Sequence, residues 1–268
     1  MFERAMLLLA LLLAGCTADQ PVRRGGIVSL NPCADQLLLA LVPPERIAAI
    51  SHYSQDSRAT SIPLDVARRF RTTAGTAEEV IALSPDLVVA TSFTPPATRA
   101  AFARAGLNTL YLGSPTTVAA SKEQIAEVAD ALKERWRGQV LNARIDAALA
   151  ETKSVDAPVS ALLFIGGDLA NGGGTLLDEM MTHTGLRDAA ADYGIAMTGR
   201  LPVETIVAHP PALILSPDQG GRTAAIRRRL LGAETRDVPF ARDLINCGGP
   251  TIPAALRRLA EIRRGAGA

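Results

Sequence analysis

Residues 78–91 are EEVIALSPDLVVAT, and residues 203–216 are VETIVAHPPALILS. When they are aligned at Pro85 and Pro211, glutamate matches glutamate, and apolar residues match apolar residues on both sides of the proline. Each segment combines a glutamate near a predicted helix start, a turn at proline, and a short apolar run typical of a buried strand. A unit of helix, turn and strand that occurs once in each half of the chain predicts two similar lobes.

Strand signals alternate with helix signals around both segments. Short apolar runs predict buried strands, at residues 27–30, 47–50, 87–91, 109–112, 161–165 and 213–216. Helices are predicted at residues 35–41 and 96–105. Compact apolar strands that alternate with helices are typical of parallel sheets, so each lobe is predicted to be an α/β unit.

A section without strand signals lies between the two halves. Apolar residues follow helical spacing from Ile125 to Trp136, which is predicted to lie in the core. Gly138 is predicted to interrupt the helical pattern, which resumes at Leu141. The predicted fold class is α/β, with two lobes of parallel sheet and a helical connector. The predicted boundaries are 26–120 for the N-terminal lobe, 121–156 for the connector and 157–268 for the C-terminal lobe.

The first residues, MFERAMLLLALLLAGC, combine a basic residue, an apolar run and a cysteine. The apolar run is shorter than a membrane-spanning helix and predicts a signal peptide at residues 1–15. Leu13-Ala14-Gly15-Cys16 resembles the lipobox of bacterial lipoproteins, whose cysteine is lipidated. A plain secretory signal with an unrelated cysteine is the alternative. The mature chain is predicted to be exported to the periplasm, and to be attached to a membrane only through a lipid on Cys16 and a linker at residues 16–25.

The composition predicts an ordinary globular protein. The 268 residues are 48% hydrophobic and 21% charged, which suits a chain with two modest cores. The formal net charge is +1, and the basic run at residues 227–229 is short and predicted to be a solvated helix face. Because nucleic-acid binding needs a concentrated basic surface, no nucleic-acid partner is predicted.

The loops after the predicted strands are candidate ligand-binding segments, because ligands bind beyond the carboxyl ends of strands in open parallel sheets. These loops are residues 31–33, 51–53, 91–93 and 166–171, and the segment that ends near Gly249. The candidate ligand-binding residues in and near them are Asn31, Cys33, Tyr53, Thr91, Ser92, Phe93, Asp168, Asn171, Arg200 and Cys247. For Asn31 and Ser92, helix capping is the alternative role.

Cys33 and Cys247 both lie in predicted cleft loops, one in each lobe. Three interpretations are open. Buried apolar residues or separate thiols rank first, an inter-lobe disulfide ranks second, and a soft-metal site is the third. A Cα separation well above about 7 Å would exclude the disulfide.

Further segments add to the two repeats, namely GIVSLNPCADQLLLAL at residues 26–41, GTLLDEMMTHTGLRDAA at 174–190 and CGGPTIPAALRRLAEI at 247–262. Together they resemble the periplasmic binding proteins for vitamin B12 and ferric siderophores, which serve ABC importers. The resemblance extends from about residue 26 to residue 264. It implies two Rossmann-like lobes bridged by one long rigid helix near residues 139–152, with the ligand between the lobes. It also implies a monomeric binding protein without an intrinsic cofactor, and not an enzyme.

The resemblance implies a role for the glutamates of the two repeats, Glu78 and Glu204. In the resembled family, one acidic residue on each lobe docks on the transporter by meeting arginines of the two membrane subunits. Glu78 and Glu204 occupy the matching positions. Two carboxylates on one rigid body would set its orientation against a dimeric permease. For either glutamate alone, stabilisation of a helix N-terminus is the alternative role.

The resemblance implies a metal chelate as ligand, which is an iron complex (a siderophore or heme) or the cobalt complex of a corrinoid. Aromatic residues make up only 4% of the chain, and Thr91, Ile165 and Asn171 stand where the B12-binding members place aromatic rings. Arg200 beside a polar cleft would suit an anionic ferric chelate. A bare metal ion is not expected, because such sites need clustered histidines and carboxylates.

Catalytic motifs do not point to an enzyme. The sequence has no G-x-S-x-G elbow, no Walker loop, no G-x-G-x-x-G after the first strand and no H-E-x-x-H. The alternative function is a metallochelatase-like or other lobe-closing exported enzyme, because the fold alone does not decide function. A third class, a structural lipoprotein, predicts neither a cleft nor stabilisation by a ligand.

Overall fold

The structure, a computed structural model, describes residues 25–217, 220–233 and 235–266. The predicted signal peptide, Cys16 and most of the linker lie outside these residues. The strands are β1 (Ile27–Ser29), β2 (Ile47–Ser51), β3 (Thr72–Thr73), β4 (Leu87–Thr91), β5 (Thr109–Leu112), β6 (Val159–Gly166), β7 (Leu169–Asn171), β8 (Leu186–Asp188), β9 (Thr198–Arg200), β10 (Leu213–Ser216) and β11 (Arg236–Pro239). The helices are α1 (Pro32–Leu41), α2 (Leu64–Ala67), α3 (Ala77–Ala82), α4 (Pro96–Arg104), α5 (Val118–Ala131), α6 (Arg135–Thr152), α7 (Leu176–His183), α8 (Val203–Ile206), α9 (Gly221–Leu231) and α10 (Ile252–Ala266). Within the described ranges, no helix is both long enough and apolar enough to cross a membrane.

The first half of the chain forms a five-stranded sheet in the order β3-β2-β1-β4-β5. Every pairing in this sheet is parallel. The predicted strands at residues 87–91 and 109–112 are confirmed residue for residue. Val28 and Val88 are fully buried, as expected for central parallel strands that are covered on both faces.

The second half forms a sheet in the order β11-β10-β6-β7-β9, with β8 also paired to β6. The α/β class is confirmed, but this sheet is mixed, because β7 is antiparallel to β6 and to β9. The cause is a two-residue turn at Gly167 and Asp168, where Gly167 has φ of +55°. So short a turn can join only antiparallel strands. Residues 166–171, predicted as a cleft loop, are therefore a β-hairpin.

Helices fill the space between the two sheets. The largest hydrophobic cluster contains residues from both sheets and from α1, α5, α6, α7 and α10. Two smaller clusters pack on the other faces of the sheets, one around Phe102 and one around Phe164. Successive residues of β4 alternate between clusters, since Val88 joins the Phe102 cluster and Val89 joins the large one. One continuous core therefore links the two lobes through the connector.

The connector consists of α5 and α6. The chain turns between them at Lys133, which has φ of +62°. The predicted interruption at Gly138 is wrong, because Gly138 is buried within α6. A Cβ atom at Gly138 would lie 2.6 Å from the Cβ atom of Ala129 on α5. Glycine at this position lets the two helices pack closely, and it does not end the helix.

Two side chains lie in environments opposite to those predicted. Trp136 is 61% exposed, because the buried face of α6 runs through Leu141 and Ile145 and leaves Trp136 on another side. Arg227, predicted to be solvated, is buried and pairs with Asp237 at 3.2 Å. Because Arg227 is buried, the basic surface of residues 227–229 is limited to Arg228 and Arg229.

The two repeats correspond in the structure. Helix α3 leads to β4 and α8 leads to β10, and these strands pair with β1 and β6, the first strands of their lobes. The aligned residues Val80 and Ile206 are both fully buried. Glu78 and Glu204 are both exposed in the first turns of their helices. The predicted duplication of a helix, turn and strand unit is confirmed.

Candidate ligand-binding site

A cavity of about 220 Å³ lies between the two lobes. The first lobe contributes residues that follow β1, β4 and β5, at the carboxyl ends of its parallel strands. The remaining wall comes from α5, the start of α7, and residues 245–249 before α10. The lining residues are Asn31, Cys33, Ala34, Gln36, Leu37, Thr91, Leu112, Gly113, Ser114, Pro115, Ser121, Gln124, Thr175, Leu176, Leu177, Met180, Ile245, Asn246, Cys247, Gly248 and Gly249.

Cys33 and Cys247 form a disulfide in the wall of this cavity, with their Cα atoms 5.3 Å apart. The ranking that placed buried or separate thiols ahead of the disulfide is therefore wrong. Cys33 lies in the first turn of α1, and Cys247 lies just before α10. The bond consequently connects the two lobes covalently, across 214 residues of sequence.

Hydrogen bonds beside the disulfide hold the same segment of the wall. The Gln36 side chain donates to the carbonyl oxygen of Gly248 at 2.6 Å. The backbone N–H of Gly249 donates to the Ser121 hydroxyl at 3.0 Å. These bonds join residues 248–249 to α1 and to α5, so this part of the wall is fixed to the first lobe and to the connector.

The helix N-termini in the cavity wall are capped by the chain itself. Asn31 Oδ1 accepts from the backbone N–H of Cys33 at 2.6 Å, which confirms its alternative role as the cap of α1. Thr175 Oγ1 accepts from the backbone N–H of Asp178 at the start of α7. The Glu179 carboxylate, also in the first turn of α7, accepts from the first backbone N–H of α5 at 2.7 Å. The N–H groups named here are therefore already occupied.

Asp35 is fully buried in α1, between two residues that line the cavity. Its Oδ2 atom accepts from the Ser51 backbone N–H at 3.0 Å and from the Ser54 hydroxyl at 2.6 Å. Among the described residues, its Oδ1 atom has no hydrogen-bond partner. Burial raises the pKa of Asp35 to about 7, although these hydrogen bonds favour the carboxylate. The carboxyl group ties α1 to the segment that carries His52 and Tyr53.

The predicted ligand-binding residues fall into several groups in the structure. Those that line the inter-lobe cavity are Asn31, Cys33, Thr91 and Cys247. Tyr53 and Phe93 follow β2 and β4 and are 53% and 78% exposed, outside the cavity lining. Ser92 is exposed beside Phe93, and its carbonyl oxygen accepts from the Arg99 guanidinium at 2.5 Å.

Asp168 and Arg200 lie away from the inter-lobe cavity. They pair with each other at 3.1 Å, and together with Glu204 they line a separate cavity of about 370 Å³ on the C-terminal half. Asn171 is buried, and its Oδ1 atom accepts from the Thr175 hydroxyl at 3.1 Å. Asn171 thus supports the capped start of α7 and is not part of the lining.

Several lining residues on helices were not predicted. Ser121 and Gln124 lie on α5, and Met180 lies on α7. The rule that ligands bind beyond strand ends points to loops, so it passes over helices that close a cleft from the side. Gln124 has no distinguishing signal in the sequence, because a polar helix residue usually faces solvent. Asn246 could have been found, since it directly precedes Cys247.

The lining is neutral. Amide and hydroxyl groups supply its polar atoms, and none of the lining residues is Asp, Glu, Lys, Arg, His or Tyr. In the described part of the chain, no group of three or more His, Cys, Asp or Glu side chains is arranged to hold a metal ion.

Two α/β lobes with a cavity between them, joined by the α5 and α6 connector and a shared core, define a two-lobed solute-binding protein. Residues 27–236 match the family model of periplasmic binding proteins, and the chain belongs to that family. Its members are binding proteins and not enzymes, and they act in the periplasm. A comparison with curated proteins finds no match.

Solved structures share the fold. The periplasmic heme-binding protein RhuT from Roseiflexus sp. RS-1, in apo form, is 24% identical with a TM-score of 0.69, over 91% of this chain and 98% of that one. The periplasmic heme-binding protein BhuT in complex with two hemes is 24% identical with a TM-score of 0.72, over 92% and 100%. The heme-binding protein HutB of Vibrio cholerae is 17% identical with a TM-score of 0.70, over 90% and 98%.

Proposed function

We propose that this chain is the solute-binding component of an ABC importer, and that it captures a metal chelate between its lobes and delivers it to a membrane permease. The observation that carries the proposal is the inter-lobe cavity, whose wall is built from both lobes and fixed by the Cys33–Cys247 disulfide. The heme-binding proteins that share the fold support a chelate as the cargo. Lipidation of Cys16 would hold the carrier at the membrane, and the carrier would act as a monomer.

Glu78 and Glu204 are the proposed contacts with the permease. Both are exposed, both lie in the first turn of a short helix, and the two helices occupy equivalent positions in the two lobes. The continuous core between the lobes supports a rigid spacing between the two carboxylates. Paired charges on a rigid body set the orientation and rate of an encounter more than its affinity.

Uptake by a double variant tests this docking. In cells that carry the permease, Glu78→Ala with Glu204→Ala should lower uptake of the bound chelate by about tenfold or more, because each charge contact guides docking. The affinity of the purified variant for the chelate should not change, because neither glutamate lines the inter-lobe cavity.

The matched control removes two carboxylates from α6, as Asp146→Ala with Glu151→Ala. Both side chains are more than half exposed and form surface ion pairs, which contribute little to stability. This control should retain uptake. Normal uptake by the Glu78 and Glu204 double variant would contradict the docking proposal.

A further inference from the structure

We infer that the cavity takes a chelate without net charge whose metal is already fully coordinated by the chelate itself. The inference rests on the proposed function and names the chemical class of its ligand. It follows from three features of the wall: its uncharged side chains, its capped helix N-termini, and the absence of an available metal ligand among its described residues.

The first feature is the neutrality of the lining. Its polar groups are amides and hydroxyls, such as those of Gln36, Ser121, Gln124 and Asn246, and its apolar groups include Leu112 and Leu176. A charged ligand that enters such a wall loses water without gaining an opposite charge, which is costly. Amides and hydroxyls instead offer donors and acceptors for uncharged amide, hydroxamate or hydroxyl groups on a ligand.

The second feature concerns the helix N-termini in the wall, which could otherwise bind an anion in place of a cationic side chain. Helix N-termini bind anions through free backbone N–H groups. At the start of α1 the backbone N–H groups of Cys33 and Ala34 are taken by the Asn31 side chain, and at the start of α7 the Thr175 hydroxyl takes that of Asp178. The first turn of α7 also carries Asp178 and Glu179, whose negative charges oppose an anion there.

The third feature concerns the metal. A heme iron bound by a protein takes axial ligands such as His, Tyr, Cys or Met. In the lining, both cysteines are joined in the disulfide. Met180 is only 2% exposed and packs in the large core cluster. His52 and Tyr53 lie outside the lining. A metal that still needs a protein ligand would therefore find none accessible in the described wall.

Titration with four defined complexes tests the inference. Two are uncharged and coordinatively saturated, ferrichrome and dicyanocobinamide. Two are not, ferric enterobactin with three negative charges and hemin with open axial positions. At least one neutral complex should bind about 100-fold more tightly than either of the others, because the latter bring charge or an unfilled coordination site into a neutral wall.

The outcomes separate the inference from the proposed function. Binding of ferric enterobactin or hemin as tightly as the neutral complexes would overturn the inference and leave the proposed function standing. If none of the four complexes raises the melting temperature, capture of a metal chelate is itself overturned, because a tight ligand stabilises the folded state by mass action.

A charge added to the wall gives a second test. Gln124→Lys places a cation in the lining, and it should improve the affinity for ferric enterobactin about tenfold relative to ferrichrome. Ala131→Lys adds the same charge at the exposed end of the same helix and should leave that ratio unchanged. An unchanged ratio in the Gln124→Lys variant would show that neutrality does not determine selectivity, and would overturn the inference.

Discussion

At the scale of single residues, Asp35 is an acidic residue between two residues that line the cavity. It is fully buried and lies within α1, and it holds the segment after β2 through the Ser51 backbone and the Ser54 hydroxyl. Because burial disfavours the charged form, its pKa in the folded chain rises from 3.8 to about 7. The aspartate links the stability of the fold to pH.

The expected sign of this linkage is a loss of stability with rising pH. Between pH 3.8 and about 7, the folded chain keeps the Asp35 proton that the unfolded chain releases, so the free energy of unfolding falls through this window. Asp35→Asn removes this titration. The difference in stability between variant and wild type should therefore move in favour of the variant, by up to about 4 kcal/mol between pH 4 and pH 8.

Urea unfolding at a series of pH values measures this difference. Asp65→Asn, on the exposed surface of α2, is the control, and it should follow the wild-type curve. If the free energies of unfolding of wild type and Asp35→Asn differed by the same amount at every pH, a raised pKa of Asp35 would be contradicted.

At the scale of elements, the disulfide links α1 to the segment before α10. It acts beside the hydrogen bond from Gln36 to Gly248 and the one from Gly249 to Ser121. A bond between residues so distant in sequence restricts the unfolded chain strongly, and it also limits how far the lobes can separate.

Removal of this disulfide should destabilise the protein. In a Cys16→Ser background, Cys33→Ser with Cys247→Ser should lower the free energy of unfolding by about 2–5 kcal/mol, because the unfolded chain gains conformational freedom. Guanidinium unfolding with and without a reductant measures this. The parent should lose stability when reduced, and the double variant should not respond. A parent that is equally stable in both conditions, or that shows two reactive thiols before reduction, would contradict the disulfide.

Individual helices and strands show which parts of the fold could be predicted from the sequence. β4 and β10 were predictable because a parallel strand in a covered sheet is a continuous apolar run. The role of Gly138 was not predictable, because a glycine in a helical pattern indicates an interruption. Its close packing against Ala129 becomes apparent only when the neighbouring helix is placed beside it. Trp136 was misplaced for a related reason, since the turn at Lys133 changes which side of α6 is buried. Contacts between elements decided each of these cases.

The lining of the candidate site was predictable in part. Strand direction indicated Asn31 and Thr91, because both follow carboxyl ends of parallel strands. Asp168 was grouped with the cleft because residues 166–171 were predicted to be a loop, whereas they form a hairpin in which Asp168 pairs with Arg200, away from the inter-lobe cavity. The disulfide depends on a spacing of Cα atoms that no sequence pattern encodes.

At the scale of the whole molecule, two sheets and a layer of helices form one body. The large hydrophobic cluster runs from one sheet to the other through α5, α6 and α10, and the disulfide adds a covalent connection between the lobes. These features favour small movements of the lobes around a ligand over wide opening. A rigid body of this kind would also keep Glu78 and Glu204 at a constant spacing, as the proposed docking on a permease requires.

The most direct test of this account is to fill the inter-lobe cavity. Thr91→Trp places a large ring in the lining at the end of β4, while Thr109→Trp places the same ring at the opposite end of the same sheet. Both variants should be titrated calorimetrically with the chelate that the wild-type chain binds most tightly. We expect Thr91→Trp to weaken binding by about tenfold or more, because the ring occupies space the ligand needs, and Thr109→Trp to bind normally. Full affinity in the folded Thr91→Trp variant would contradict capture of the ligand between the lobes.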